Sequence, residues 1–158
     1  MSLSKFVEIA EEQVGNGPET YTSWYGLPGQ PWCAMFVSWC ANQAGILTEA
    51  DQKDYPSVLK TASVSAMYKW FQANRRNLIP TAEPGSTNYP QPGDIAFING
   101  TEDHVGIVVS VSGNVVKTVE GNTTMSNGGN GVTFQTYTIG DTQSNWKLTH
   151  IGSNSIAY

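Results

Sequence analysis

Apolar residues recur at helical spacing in the first half of the chain and switch to a strand-like period beyond Gly93. Phe6, Val7, Ala10 and Val14 predict an amphipathic helix over 4–14, stopped by Gly15 and packed on the next helix. A more uniformly apolar run follows Pro31 through Trp32-Cys33-Ala34-Met35-Phe36-Val37-Ser38-Trp39-Cys40 to Ala44, and Gly45 stops it. Proline suits a first helical turn, so this second helix is expected to start at Pro31 and to be buried. Ser63 or Ser65 caps a third helix carrying Met67, Trp70 and Phe71, which ends before Asn74-Arg75-Arg76. The four glycines and three prolines of residues 15–31 read as a loop, anchored by Tyr21, Trp24 and Tyr25.

Past the four prolines of residues 80–93, strands are predicted at 95–98, 104–109, 115–119, 132–134 and 146–151. Ser112-Gly113-Asn114 supplies a hairpin turn between the second and third of these. Helices first and an antiparallel sheet afterwards make an α+β layout. The expectation is one domain over 1–158, its helical part about 1–80 and its sheet part about 93–158.

Composition narrows the partners. The net charge is −5 and no segment concentrates Lys or Arg, which removes the counterion-release contribution that nucleic-acid binding depends on. No apolar run approaches the roughly 18 residues of a membrane span, and the first residues lack a signal peptide's apolar core. No nucleic acid and no membrane partner are therefore expected. The small acidic group Glu49, Asp51 and Asp54 reads as a solvated loop.

The chemistry centres on Cys33. A thiol in the first turn of a helix meets unpaired backbone N–H groups and the positive end of the helix dipole, which favour its anionic, nucleophilic form. Cys40, the other cysteine, lies about 10.5 Å away along the helix at 1.5 Å per residue, beyond the roughly 7 Å reach of a disulfide. Free thiols follow. Of the two histidines, His104 stands where a loop enters a strand and can serve Cys33 as base. His150 sits inside the last strand and reads as an ordinary strand residue. Pairing about the turn at Gly113 sets residues 105–108 against 118–121, so either Glu120 or Asn122 can orient the imidazole.

The segments 31–40, Pro92-Gly93-Asp94-Ile95-Ala96-Phe97, Asp103-His104-Val105-Gly106-Ile107-Val108 and Glu120-Gly121-Asn122 together resemble the CHAP domain, a cysteine, histidine-dependent amidohydrolase/peptidase. The resemblance implies a papain-like, NlpC/P60-like architecture, with N-terminal helices on an antiparallel sheet of about five to six strands. It implies Cys33 as nucleophile, His104 as base, Glu120 as the histidine's partner and Asn122 as a polar helper. The related NlpC/P60 peptidases often use a second histidine where this chain has Glu120. Domains of this kind cleave amide bonds in bacterial peptidoglycan, so the expected enzyme is an amidase or endopeptidase acting on the wall, as a monomer and without a cofactor. Gln30, as a second oxyanion donor, and Trp32, Trp24 and Tyr25, as a groove for a stem peptide, complete the expected site. Some relatives hold calcium just before the nucleophile, but Glu19 is the sole carboxylate of residues 16–32, and no metal is expected. The rival readings are a non-catalytic wall-binding module and an amidase acting on a non-wall amide.

Overall fold

The computed structural model describes residues 3–51 and 54–155. Its elements run α1 (Leu3–Glu12), α2 (Glu19–Tyr25), α3 (Cys33–Ala44), β1 (Leu47–Thr48), β2 (Val58–Leu59), α4 (Val64–Ala73), β3 (Asn77–Leu78), β4 (Ile95–Ile98), β5 (His104–Ser112), β6 (Val115–Thr124), β7 (Asn130–Thr138) and β8 (Leu148–Gly152). Six strands form one antiparallel sheet in the order β3-β8-β4-β5-β6-β7, while β1 and β2 make a small parallel pair. The α+β expectation, with helices first and a sheet of up to six strands, holds.

The helix α3 is the centre of the molecule. All of it but Trp39, Asn42 and Gln43 is buried, and α1, α2, β5 and β6 all pack against it. Its one fully buried hydroxyl is satisfied, because Ser38 Oγ donates to Thr61 O at 3.0 Å and accepts from Thr61 N at 3.1 Å. Gly45 ends the helix at φ 76°, a left-handed conformation that costs glycine little. The alternation of the strands sorts their side chains between two cores. Ile95, Phe97, Val105, Ile107 and Val119 join the helices, whereas Ala96, Ile98, Val108, Val116 and Tyr137 form a second cluster. This is why all four residues of β4 are buried.

Three expectations need correction. Residues 19–25 form a helix rather than a loop. The prolines and glycines flank that helix instead of filling it: Pro18 precedes it and Gly26 closes it at φ 95°. Tyr21 then fixes it to α3 by stacking on Trp32 at 5.4 Å and meeting Phe36 and Trp39 edge-on. Next, α3 starts at Cys33, with Trp32 as its N-cap, so Pro31 lies just outside the helix. Lastly, the strand foreseen from Trp146 begins only at Leu148. The third helix is capped by Ser63, whose hydroxyl accepts from Ala66 N at 3.0 Å. Glu49, Asp51 and Asp54 are exposed, as read.

Arg76, which the sequence places just past the end of the third helix, is fully buried. Its guanidinium donates to Ser153 O at 2.9 Å, to Ser57 Oγ at 2.7 Å, to Ser57 O at 2.9 Å and to Asn154 Oδ1. Asp94, equally buried, accepts from Gln91 N at 2.9 Å and Asn154 N at 2.8 Å. Burial pushes the Asp94 carboxyl up to about 7 against these bonds and the Arg76 charge, and burial brings Arg76 down to about 10. The network ties the end of the chain to β4 and to the segment before β2. Arg76→Met should lower unfolding free energy by about 3–5 kcal/mol in urea titrations, the cost of leaving buried partners uncompensated. Exposed Arg75→Met is the control and should stay within about 0.5 kcal/mol.

Candidate active site

The site forms where the first residue of α3 meets the start of β5. Val105, Ile107 and Val119 face the helices, so His104, Gly106, Thr118 and Glu120 occupy the other face of the sheet. The turn at Gly113-Asn114 and a register shift between Val108 and Ser110 pair Ile107 with Val119 and Val108 with Thr118. Gly106 therefore falls opposite Glu120. A Cβ at Gly106 would lie 2.4 Å from Glu120 Cγ, so the missing side chain is the space across which the carboxylate reaches His104.

His104 Nε2 lies 2.8 Å from Glu120 Oε1, both residues being buried, and Cys33 stands close enough to the ring to favour its charged form. With Nε2 on Glu120, Nδ1 is the nitrogen left for the thiol. The second carboxylate oxygen accepts from Thr118 Oγ1 at 2.6 Å and Tyr137 Oη at 2.7 Å, and Trp146 Nε1 donates to Tyr137 Oη at 3.2 Å. Burial, then the Glu120 charge, raises the Tyr137 phenol, which stays protonated and able to donate. Burial is the largest influence on His104 and works to lower it. The bonds and charges of Cys33 and Glu120 outweigh it and hold the imidazolium up to about 10. The Trp146 ring stands 5.3 Å from the imidazole, half exposed, as a cover on its outer side.

Around this core three depressions meet at Pro31. One, of about 540 Å³, contains His104, Glu120, Asn122 and Trp146. A second, of about 460 Å³, runs between Glu19, Gln30, Trp32, Asn122 and Asn130. The third lies between Tyr25, Leu27, Gln30 and Met35. Cys33 itself is only 5% exposed.

Cys33, His104 and Glu120 thus come together, and of the two candidate orienters it is Glu120 that holds the ring. Asn122 does not bond His104; its Oδ1 accepts from Asn130 Nδ2 at 3.0 Å. Gln30 lines two of the depressions and Tyr25 one. Trp32 is buried against Tyr21 and supports the groove from below rather than offering it a ring face. Trp24 packs on Tyr25 and beneath the Lys60 ammonium, 5.3 Å from its ring. His150 packs edge-on against Tyr68, and burial lowers it, in keeping with a strand residue. Both cysteines are free thiols. Among the described residues no group of three or more His, Cys, Asp or Glu could hold a metal ion.

Sequence reasoning missed Thr118, Asn130, Tyr137 and Trp146. Thr118 was within reach, since it lies two residues before Glu120 and hence on the same strand face. The other three depend on the path of β7 and of the loop before β8, for which the sequence carries no local signal.

The sequence model of the CHAP domain matches residues 24–122, more than half of the chain. No curated protein matches the chain. Among solved structures, the crystal structure of Ly7917 aligns with a TM-score of 0.52 at 18% identity, covering 96% of this chain and 61% of that one. The crystal structure of Ly7917 with the hydrolyzing product of MDP gives 0.51 at 19%, covering 97% and 63%. The chain spans less than two thirds of the length of either neighbour, and at these identities the likeness is one of fold, a papain-like α+β architecture. The family match covers the Cys33 helix and the strands carrying His104 and Glu120, and on it the chain belongs to the CHAP domain family.

Proposed function

We propose that this chain is a peptidoglycan hydrolase that cleaves an amide bond, either muramoyl–alanine or one within the peptide stem or cross-bridge, with Cys33 as nucleophile. The observation that carries the reading is the chain of contacts Cys33, His104, Glu120, with the histidine fixed at 2.8 Å by the carboxylate. CHAP domains are peptidoglycan amidases and peptidases, which supports the substrate class. One neighbour was solved with the hydrolyzing product of MDP, which agrees with it. Residues 1–158 act as one catalytic domain, a monomer working at the bacterial cell wall.

In this mechanism the Cys33 thiolate adds to the substrate carbonyl carbon, and the carbonyl π electrons move to oxygen. The oxyanion is met by the Cys33 backbone N–H, one of the first N–H groups of α3, which have no intrahelical partner, with Gln30 as the second donor. The imidazolium of His104 gives its proton to the leaving amine as the C–N bond breaks and a thioester forms. Water, deprotonated by the now neutral His104, then hydrolyses the thioester and regenerates the thiolate. Glu120 keeps the ring oriented and stabilises its charged form.

Cys33→Ala should leave the fold intact by circular dichroism and abolish release of soluble fragments from purified cell walls; retained lysis would refute the nucleophile. Mass spectrometry of the fragments identifies the bond from the new amino termini. The pH dependence follows from His104, whose pKa is raised from 6.5 to about 10. Folding favours the protonated ring, so its contribution to stability is complete below about 6.5 and disappears as pH rises through about 10. In the folded protein the catalytically competent imidazolium is lost as pH passes through about 10. The rate of hydrolysis should fall as pH approaches 10, and Glu120→Gln, which deletes the carboxylate charge, should move that alkaline limb toward neutrality. An unmoved limb would show that Glu120 does not sustain the charge on His104.

A further inference from the structure

Three side chains outside the Cys33–His104–Glu120 line form a relay whose polarity is dictated by chemistry. Trp32 Nε1 donates to Asn130 Oδ1 at 2.7 Å. An indole nitrogen can only donate, so the Asn130 atom it meets must be the carbonyl oxygen. Asn130 then has only its NH2 to offer, and this donates to Asn122 Oδ1 at 3.0 Å. The carboxamide of Asn122 is fixed in turn. Its oxygen is occupied, and its NH2 carries no hydrogen bond among the described residues while Asn122 lines both the His104 cleft and the depression beside it.

The backbone here is built to hold this arrangement. Asn122 sits at φ 60°, a left-handed conformation that asparagine tolerates better than most residues, where the β6–β7 register shifts between Glu120 and Thr123. Gly121 lets the strand settle on α3, since a Cβ there would lie 2.6 Å from the Trp32 ring and 2.7 Å from Phe36 Cβ. The indole that starts the relay is also the ring on which the strand rests.

We infer that Asn130 is a positioning residue: with the Trp32 indole, it sets the Asn122 carboxamide so that two amide hydrogens face the junction of the two clefts, where they donate to a carbonyl oxygen of the bound peptide. This deepens the reading of Cys33 as nucleophile and rests on it. The ligand group selected is a hydrogen-bond acceptor.

The test is a double-mutant cycle with kcat/KM measured on a soluble stem peptide, and with thermal melts for every variant. Asn130→Ala should lower kcat/KM by roughly two- to tenfold, the worth of one net hydrogen bond. In an Asn122→Ala background the same change should have no further effect. Asn130→Asp tests the polarity. It still accepts from Trp32 but presents only acceptor oxygens to Asn122, which must turn and show its own oxygen to the substrate. Asn130→Asp should therefore fall below Asn130→Ala, and this gap should vanish in the Asn122→Ala background. Equal losses in both backgrounds would overturn the inference, since Asn130 would then be acting on the loop or through its charge. An Asn130→Asp variant no worse than Asn130→Ala would overturn it as well. Should these variants melt early, Trp32→Phe keeps a smaller aromatic ring in the packed site and removes the indole donor, and its loss should likewise disappear when Asn122 is Ala. Cys33→Ala run in parallel separates the two claims. Activity in that variant refutes the nucleophile, whereas a Cys33-dependent enzyme with additive losses refutes the relay alone.

Discussion

The pairing of β5 with β6 determines where this protein can hold charge in its interior. A two-residue turn and one register shift bring Gly106 opposite Glu120, and the glycine leaves the only room through which the carboxylate can lie beside the first residue of the strand. A shift by one residue would turn Glu120 to the helix-side core, where Val119 now packs. The same register puts Thr118 on the carboxylate's face, and the pairing of Val116 with Tyr137 brings the phenol to its other side. Glu120 thus accepts from a histidine, a threonine and a tyrosine. The polar centre is satisfied by the sheet's own geometry, and among the described residues no buried side-chain nitrogen or oxygen lacks a partner.

The second buried charge network answers a different need. Arg76 and Asp94 lie away from the cleft and bond almost wholly to backbone and to Asn154 and Ser57. Their partners come from the chain end, the start of β4 and the segment before β2, three stretches that apolar packing alone would hold only loosely. A buried guanidinium with fixed donor directions imposes one arrangement on them. Strand β4, which pairs with the His104 strand, and β8 beyond it are thereby secured from behind, while α3 braces the front. Cys33 and His104 sit on separate elements, and both elements are pinned.

Most of this was legible in the sequence because it rests on local pattern. The helices α1, α3 and α4 follow from apolar spacing with glycine and serine punctuation, and the hairpin at Gly113 made the meeting of His104 and Glu120 deducible before any coordinates. What escaped is tertiary. The helix α2 is too short to announce itself and is held by the Tyr21 stack on Trp32. The burial of Arg76 went unread because nothing nearby in sequence names Ser57, Ser153 or Asn154 as its acceptors. Asn122 and Glu120, left as alternatives by strand pairing alone, are separated by the β6–β7 irregularity, which turns Asn122 toward Asn130 instead of the imidazole. Trp146 continued a strand-like pattern and is instead the ring that covers His104.

The place of Pro31 follows from the same geometry. Three depressions meet at this residue, two positions ahead of the thiol, so any chain lying across the site crosses its backbone. A proline there fixes φ and presents no N–H, so substrate covering it buries no unpaired donor. It also restrains its neighbour, because the residue before a proline is kept out of the helical region. Gln30, so restrained, lies at the boundary between two of the depressions. The proline that suggested a helix start in the sequence lies just outside the helix, a rigid point where three depressions meet beside a thiol that is itself nearly buried.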